Sequence, residues 1–132
     1  MNILGTGIDI VEIERIDVLL RRHGERFLAR VFTEEERAYC SNHRTAARCY
    51  AARFAAKEAI SKAFGTGIGA EVGWLDMIVE RDERGKPLVR LRDAAKASAE
   101  RMGIRQILIS LSHSDHYAVA QAIALGESDI SR

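Results

Sequence analysis

The stretch TAARCYAARFAAKEAISKAFGTGIG, residues 45–69, decides the fold of this chain. From Thr45 to Phe64 it is rich in Ala, the residue that most favours a helix, and it contains neither Pro nor Gly. Gly65 follows directly, and Gly is the usual left-handed residue after the last turn of a helix. The sequence therefore predicts one long helix over Thr45–Phe64, against which the remaining elements have to pack.

Short segments of alternating hydrophobicity surround this helix and predict a sheet. The predicted strands are Leu4–Val11, Trp74–Glu80, Leu88–Leu91, Ile107–Leu111 and Tyr117–Leu125. Gly85 and Pro87 supply the turn of a hairpin between the second and third strands, and the turn HSDH at residues 113–116 joins the last two as an antiparallel pair. Ala occupies every second position of the last strand, so we expect this small-residue face to lie under the long helix. The predicted fold class is α+β, with a mostly antiparallel sheet packed against the long Ala-rich helix.

The first predicted strand carries a carboxylate between two apolar residues. Ile8 and Ile10 share one face, so Asp9 points to the other. Gly5 and Gly7 precede it and allow another segment or a ligand to approach closely. Asp9 is therefore either a metal ligand or an edge-strand charge that prevents aggregation.

Three shorter helices are predicted. One begins at about Val11 and is interrupted by Gly24, one opens with a capping box at residues 33–36, and one covers Asp93–Met102 before Gly103. Together with the strands they account for a single domain over residues 1–132, without an internal repeat.

The composition of the chain argues against several classes of protein. The chain has 132 residues, 47% of them hydrophobic, and a net charge of only +1, so its bulk charge does not indicate a binder of nucleic acid or of membranes. No apolar run approaches the roughly 20 residues that span a bilayer. Two Cys residues are too few for a disulfide framework and the N-terminus lacks a signal-peptide pattern, so we expect a soluble protein of the reducing cytoplasm.

The long helix carries the main candidate chemistry. Two flanks of this helix carry charge at four-residue spacing: Arg53, Lys57 and Ser61 lie on one, and Phe54, Glu58 and Lys62 lie on the other. This pattern is either a solvated face with an ion pair between Glu58 and Lys62, or a site where a carboxylate holds a hard metal ion whose other ligands are phosphate oxygens. The second interpretation needs another carboxylate, for which Asp9 is the candidate.

Several motifs resemble known sites without matching them. The glycines of residues 65–69 follow a helix rather than precede one, so they do not form a phosphate-binding loop of the P-loop type. The consecutive residues 112–116 splay apart and cannot form a hydrolytic triad. His113 is therefore a phosphate contact or an ordinary turn residue. Cys40, His43 and Cys49 lack a zinc-binding spacing and are interpreted as structural.

One segment of the chain is basic. Arg15, Arg21, Arg22, Arg26 and Arg30 lie close together in sequence. They form either a solvated helix face or a docking surface for an acidic protein, because Arg makes forked contacts with carboxylates. RNA binding is less favoured, since no strand carries the paired aromatic residues that stack on bases.

Four segments together resemble the holo-acyl-carrier-protein synthases, the short phosphopantetheinyl transferases. They are GTGIDIVEIERI at 5–16, RFAAKEAISKAFGTGIG at 53–69, RGKP at 84–87 and SLSHSDHYAVAQ at 110–121. The resemblance implies transfer of 4′-phosphopantetheine from coenzyme A to a serine of apo acyl carrier protein, with release of 3′,5′-ADP and a requirement for Mg²⁺. It also implies a homotrimer with active sites between subunits and a role in supplying the carrier protein of fatty acid biosynthesis or of polyketide synthesis.

The resemblance further assigns roles to individual residues. Asp9 and Glu58 match the Mg²⁺ ligands of the family, Glu58 is the favoured base, directly or through a water, and Lys62 is expected to stabilise phosphate charge. The expected coenzyme A contacts are Arg53, Lys57, Ser61, Lys62, Gly65, Gly85, Lys86, Pro87, His113 and Ser114. Arg15, Arg22 and Arg26 are expected to dock the acidic carrier protein, projecting together if their helix continues past Gly24.

Two alternatives of other classes stay open at this point. The first is a non-catalytic module that binds an acidic protein through its arginine segment, with Glu58 and Lys62 as a mere surface pair. The second is a small hydrolase that uses His113. Mg²⁺-dependent binding of coenzyme A distinguishes the first, and turnover of coenzyme A without carrier protein distinguishes the second.

Overall fold

The computed structural model describes residues 1–127 and has the predicted α+β architecture. Its elements, in chain order, are β1 (Asn2–Glu12), α1 (Ile13–His23), α2 (Glu25–Val31), α3 (Glu34–Ser41), α4 (Ala46–Phe64), a 3₁₀ turn (Trp74–Asp76), β2 (Met77–Arg81), β3 (Pro87–Leu91), α5 (Asp93–Met102), β4 (Ile104–His113) and β5 (Tyr117–Gly126). The long helix is confirmed as α4, and Gly65 adopts the left-handed conformation that ends it, at φ +82°.

The strands form two antiparallel sheets. β1, β5 and β4 make a three-stranded sheet in that order, with β5 in the centre, and β2 and β3 make a separate hairpin. The alternate Ala side chains of β5 are buried, as predicted, and α4 packs across β5 and β1. Small side chains on both surfaces let the helix and the sheet approach closely, so the core is built around this contact.

Two glycines of β1 set the distance between the strand and α4. A Cβ on Gly7 would overlap the carbonyl oxygen of Ala59, and a Cβ on Gly5 would overlap that of Ala63. The β1 backbone therefore lies directly on the helix, at a distance that any side chain would increase. Asp9, two residues beyond Gly7 on the same face, is carried towards the same helix surface.

The opposite face of β1 is apolar and exposed. Ile8 and Ile10 share this face, as predicted, and each is 63% exposed. The strand alternation is therefore confirmed, but the glycine face of β1 is the buried one. Opposite these residues on β5 lie Gln121 and Val119.

One predicted element differs from the structure, and one predicted helix break is confirmed. Residues 74–76 form a 3₁₀ turn rather than the start of a strand, because the Asp76 carboxylate accepts the Gly73 N–H at 3.0 Å and the Asp76 N–H donates to the Gly73 carbonyl at 3.1 Å. At Gly24 (φ +45°, ψ −120°) α1 ends and α2 begins, so the basic segment is divided between two helices.

The two Cys residues form a bond that the sequence analysis did not predict. Cys40 at the end of α3 and Cys49 in the first turns of α4 form a disulfide, with their Cα atoms 5.4 Å apart. The short connection between α3 and α4 brings them together, a tertiary effect that a count of Cys residues does not reveal. No helix within residues 1–127 is long and apolar enough to cross a membrane.

Candidate active site

The carboxylate cluster, which we define as Asp9, Glu58 and Lys62, lies where β1 crosses α4. Lys62 Nζ donates to Asp9 Oδ1 at 3.2 Å and to the Ile8 carbonyl at 2.9 Å. The Asp9 side chain is only 16% exposed, whereas that of Lys62 is 51% exposed. The structure therefore brings together the three residues that the helix spacing and the strand pattern indicated separately.

Glu58 is electrostatically unusual within this cluster. Partial burial raises the pKa of its carboxyl, and the nearby negative charge of Asp9 raises it further. The positive charges of Lys62 and Arg15 oppose this shift without cancelling it. Glu58 is thus a stronger base than an ordinary exposed Glu, and a cation placed between the two carboxylates would relieve their repulsion.

The donor set of the carboxylate cluster fits Mg²⁺. Mg²⁺ binds hard oxygen ligands and commonly takes one or two protein carboxylates, filling its other positions with water and substrate phosphates. Asp9 and Glu58 supply two such carboxylates from opposite elements. Residues 1–127 contain no group of three His, Cys, Asp or Glu suited to a metal ion, so an all-protein cage is not formed.

A second cluster surrounds Arg53 on another side of α4. We call it the arginine cleft, a cavity of about 180 Å³ lined by Tyr39, His43, Thr45, Arg48, Cys49, Ala52, Arg53, Arg81 and His113. The Arg53 guanidinium lies 4.5 Å from the centre of the Tyr39 ring, and its Nη1 donates to Cys49 Sγ at 3.3 Å. Three arginines and two histidines on one cleft favour an anionic ligand.

The Arg53 side chain has a hydrogen-bond donor that no acceptor within residues 1–127 satisfies. This side chain is almost fully buried, and within the part of the chain described here its Nε has no hydrogen-bond partner. Burial lowers the pKa of this guanidinium, and the charge of Glu36 only partly offsets that cost. An anion in the arginine cleft would supply both the missing acceptor and the missing countercharge.

Two turns border the arginine cleft. Arg81 donates to the Gly85 carbonyl at 2.6 Å and so ties the cleft to the turn at residues 85–87. At the end of β4, the Ser114 hydroxyl accepts hydrogen bonds from the His116 and Tyr117 N–H groups, which fixes the turn next to His113. Arg81 and His113, which line the cleft together with Arg53, thus connect it to these two turns.

Lys57 and Ser61, which the family resemblance assigned to coenzyme A binding, lie in neither cluster and are buried in the described structure. Lys57 is fully buried and donates to the Val31 carbonyl, to Glu36 Oε1 and to the Trp74 carbonyl at 2.6–2.9 Å. These bonds occupy all three donors of its ammonium group. The Ser61 hydroxyl is also buried and donates to the Glu58 carbonyl. This flank of α4 faces protein, because α3 and the segment around Trp74 cover it.

The basic segment forms a third feature. The docking cleft, as we call it, measures about 590 Å³ and is lined by Leu19, His23, Arg26, Phe27 and Arg30. The break at Gly24 places Arg26 on α2, so the condition under which Arg15, Arg22 and Arg26 would project from one helix is not met. Arg15 is close enough to Glu58 to affect its pKa, and Arg22 is exposed outside the cleft.

Sequence reasoning missed part of both clefts. Tyr39, Arg48 and Arg81 line the arginine cleft, and Leu19 and Phe27 line the docking cleft. Only Arg81 carried a local signal, since it opens the turn segment RDERGKP. The others meet through tertiary packing alone.

Comparison with known proteins identifies the family. The family model described as "4'-phosphopantetheinyl transferase superfamily" matches residues 5–122. The holo-[acyl-carrier-protein] synthase of Vibrio parahaemolyticus is 48% identical over 123 residues, which cover 93% of this chain and 98% of that protein. That of Koribacter versatilis is 46% identical over 121 residues, covering 92% and 97%. The chain belongs to the 4′-phosphopantetheinyl transferase superfamily.

Solved structures agree with this assignment. The crystal structure of the Neisseria meningitidis holo-[acyl-carrier-protein] synthase superposes with a TM-score of 0.89 at 34% identity, covering 94% of this chain and 99% of that one. The Helicobacter pylori enzyme in complex with coenzyme A gives a TM-score of 0.82 at 32% identity, covering 91% and 99%. The Bacillus anthracis enzyme in complex with "CoA (3',5'-ADP)" gives 0.80 at 40% identity, covering 95% and 98%.

Proposed function

We propose that this protein is a holo-acyl-carrier-protein synthase, which transfers the 4′-phosphopantetheine arm of coenzyme A to a serine hydroxyl of an apo acyl carrier protein and releases 3′,5′-ADP. The observation that carries the proposal is the carboxylate cluster, where Asp9, Glu58 and Lys62 converge beside a glycine-lined contact of β1 with α4. Relatives with this name match over nearly the whole chain, and solved relatives hold coenzyme A or 3′,5′-ADP. We place the reaction in the cytoplasm, in the supply of holo carrier protein for fatty acid synthesis.

Mg²⁺ is the proposed cofactor, held by Asp9 and Glu58. When bound, it would neutralise the charge that develops on the pyrophosphate of coenzyme A. In this state the Lys62 ammonium group would bond a phosphate oxygen of coenzyme A instead of the Asp9 carboxylate. The change of partner costs little free energy, because the Lys62 side chain is half-exposed. In this role Lys62 stabilises the leaving nucleotide.

Glu58 is the proposed base for the carrier serine. Its raised pKa suits it to accept the serine hydroxyl proton, directly or through a water, as the oxygen attacks phosphorus. Arg15 lies on the same side of α4 and keeps the pKa of Glu58 from rising further.

The arginine cleft is the proposed site for the nucleotide end of coenzyme A. Arg53 and His113 are the proposed contacts to its 3′-phosphate, since the Nε of Arg53 lacks a protein acceptor within residues 1–127 and His113 shares the cleft. The other proposed contacts are Gly65, Gly85, Lys86, Pro87 and Ser114. We leave Lys57 and Ser61 out, because their polar groups are already bonded within the protein.

The two clusters face different directions within one chain. Arg53 and Glu58 are five residues apart on α4, a rotation of about 140° around the helix axis. A single chain therefore presents the carboxylate cluster and the arginine cleft on different sides, and a second copy is needed to bring complementary halves together. We propose a homotrimer with active sites between subunits, joined in part through the exposed face of Ile8 and Ile10.

The docking cleft is the proposed surface for the carrier protein. It combines an apolar floor of Leu19 and Phe27 with a basic rim of Arg26 and Arg30, which suits an acidic helix bearing a few apolar residues. Arg15 precedes this surface in sequence and is close enough to Glu58 to affect its pKa, so it would guide the carrier serine towards the carboxylate cluster.

Mass spectrometry of apo acyl carrier protein tests the proposal. After incubation with enzyme, coenzyme A and Mg²⁺, we expect a mass gain of one phosphopantetheine, which Glu58→Gln and omission of Mg²⁺ both abolish. Glu83→Gln, an exposed residue of the β2–β3 turn, is the matched control and keeps full activity. An unchanged carrier mass would favour a non-catalytic module, and loss of coenzyme A without carrier would favour a hydrolase.

A further inference from the structure

We infer that the disulfide between Cys40 and Cys49 is a redox-sensitive site that controls how tightly the arginine cleft binds its anionic ligand. The inference rests on the proposed function to the extent that this ligand is taken to be the nucleotide end of coenzyme A. The disulfide itself, its position and its contacts are independent of that assignment.

The disulfide belongs to the wall of the arginine cleft. Cys49 lines the cleft, and its Sγ accepts a hydrogen bond from Arg53 Nη1 at 3.3 Å. Cys40 is fully buried behind it. The guanidinium that carries the unmet donor of the cleft is therefore held in place by one of the two bridged sulfurs.

The bridge also closes the segment that builds one side of the cleft. Tyr39, His43, Thr45 and Arg48 all lie within or next to the loop between the two Cys residues, and all four line the cleft. Tyr39 connects the two sides, because the Arg53 guanidinium lies 4.5 Å from its ring centre and its ring centre is 4.5 Å from that of His43.

The loop between Cys40 and Cys49, with the neighbouring Tyr39, forms a corner of the structure. Its other side-chain hydrogen bonds are mostly exposed. His43 Nδ1 bonds the Tyr39 carbonyl, and the Asn42 side chain donates to the Ala38 carbonyl, both at the surface. A hydrogen bond of 2.7 Å between Ser41 and Tyr50 and the buried ion pair of Glu36 with Lys57 also join α3 to α4. Without the disulfide we expect α3 to stay attached through Ser41, while the corner and Tyr39 become more mobile.

Reduction is chemically simple from the cleft side. The thiolate of a small reductant attacks Cys49 Sγ, the sulfur–sulfur bond breaks, and Cys40 leaves as a thiolate that takes up a proton. A second reductant thiol then displaces Cys49 and gives the oxidised reductant. Two electrons and two protons enter the protein, and two free thiols replace the bridge. Cys49 is half-buried in the open cleft, whereas Cys40 is enclosed, so attack at Cys49 is favoured.

The test compares binding of 3′,5′-ADP to the oxidised and the reduced protein. This nucleotide lacks the thiol of coenzyme A and so does not reduce the bridge itself. We expect reduction with dithiothreitol to weaken binding by about tenfold, the ordering cost of one or two side chains at a binding site. The double variant Cys40→Ser with Cys49→Ser is expected to bind as weakly as the reduced protein and to ignore dithiothreitol. Thiol alkylation followed by mass spectrometry counts no free thiols before reduction and two after it.

Three results would overturn the inference. Two free thiols in the protein never exposed to reductant would show that the bridge does not form. Equal affinity of the oxidised and reduced proteins, with Arg53→Ala still weakening binding, would show that the bridge does not affect the cleft while leaving the nucleotide site intact. Absence of nucleotide binding in both redox states, with circular dichroism unchanged, would remove the nucleotide site and this inference together.

Discussion

At the scale of single residues, Glu58 belongs to the candidate active site but lowers the stability of the folded protein at neutral pH. Its carboxyl has a raised pKa in the folded protein, chiefly because of burial and then because of Asp9. As pH rises from below the ordinary Glu value, the unfolded chain ionises first, so this group lowers the free energy of unfolding at neutral pH. Below that value both states are protonated and the effect disappears.

We therefore predict that Glu58→Gln increases stability at pH 7 while abolishing transfer. The difference in the free energy of unfolding should shrink as pH falls towards 4, where Glu is largely protonated in both states. Urea denaturation at several pH values measures this, with Glu83→Gln as the control that shows no such trend. A variant that is destabilised equally at all pH values would contradict the electrostatic account.

The position of Asp9 depends on a residue without a side chain. Gly7→Ala should destabilise the protein by about 2–4 kcal/mol and reduce transfer, because the new Cβ pushes β1 away from Ala59 and carries Asp9 with it. Gly69→Ala is the matched control, since the space around that residue is open and its backbone φ is not positive. Thermal unfolding and the transfer assay together measure the effect, and equal behaviour of the two variants would refute it.

At the scale of elements, a buried ion pair joins α3, α4 and β2. The Glu36 carboxylate completes the capping box with Thr33, accepts the Val79 N–H at 2.7 Å, and pairs with Lys57 at 2.6 Å. Burial lowers the pKa of Lys57, and the charge of Glu36 opposes that shift. Each partner thus depends on the other for its countercharge.

Breaking this pair on one side should be costly. Lys57→Met is expected to lower the free energy of unfolding by about 3–5 kcal/mol, because it leaves Glu36 buried without its partner. The double variant with Glu36→Gln should lose less than the sum of the single variants, and Lys96→Met, at an exposed position of α5, should scarcely affect stability. Additive losses in a denaturant-based double-mutant cycle would show that the two side chains act independently.

At the scale of the whole molecule, residues 1–127 of a single chain leave the apolar outer face of β1 uncovered. Ile10→Lys should leave the fold intact, dissociate the proposed trimer and abolish transfer, because a Lys in an apolar interface must be desolvated. Analytical ultracentrifugation is expected to give three times 14.7 kDa for the wild type and 14.7 kDa for the variant. Leu88→Lys, on the exposed side of β3, is the control expected to stay trimeric. A wild-type monomer with full activity would contradict the shared site.

Docking of the carrier protein is a property of two helices together. Charge reversal by Arg26→Glu with Arg30→Glu should lower kcat/KM for carrier protein by about tenfold and leave the binding of 3′,5′-ADP unchanged. Arg22→Glu, outside the docking cleft, should have a smaller effect. Steady-state kinetics at low and high salt measure the difference, since screening at a Debye length of about 10 Å in 0.1 M salt weakens steering. A larger loss for Arg22→Glu than for the double variant would indicate that the carrier protein docks on the surface of Arg15, Arg22 and Arg26 that the sequence predicted.

The sequence by itself determined the elements whose causes are local: the Ala-rich helix closed by Gly65, the capping box of Thr33, the β2–β3 turn, and the alternation of β5. It also indicated Asp9, Glu58 and Lys62 as candidate site residues, because helix spacing and a carboxylate within a strand can be recognised in the sequence.

Only the tertiary structure decided what lies between the elements. The burial of Lys57, the disulfide of Cys40 with Cys49, and the arginine cleft all arise where α3 folds back on α4. Periodicity states which residues share a helix face, but the face that meets protein and the face that meets solvent are determined by long-range packing. For this reason the charged flank of α4 that carries Lys57 is buried, and the apolar face of β1 that carries Ile8 and Ile10 is exposed.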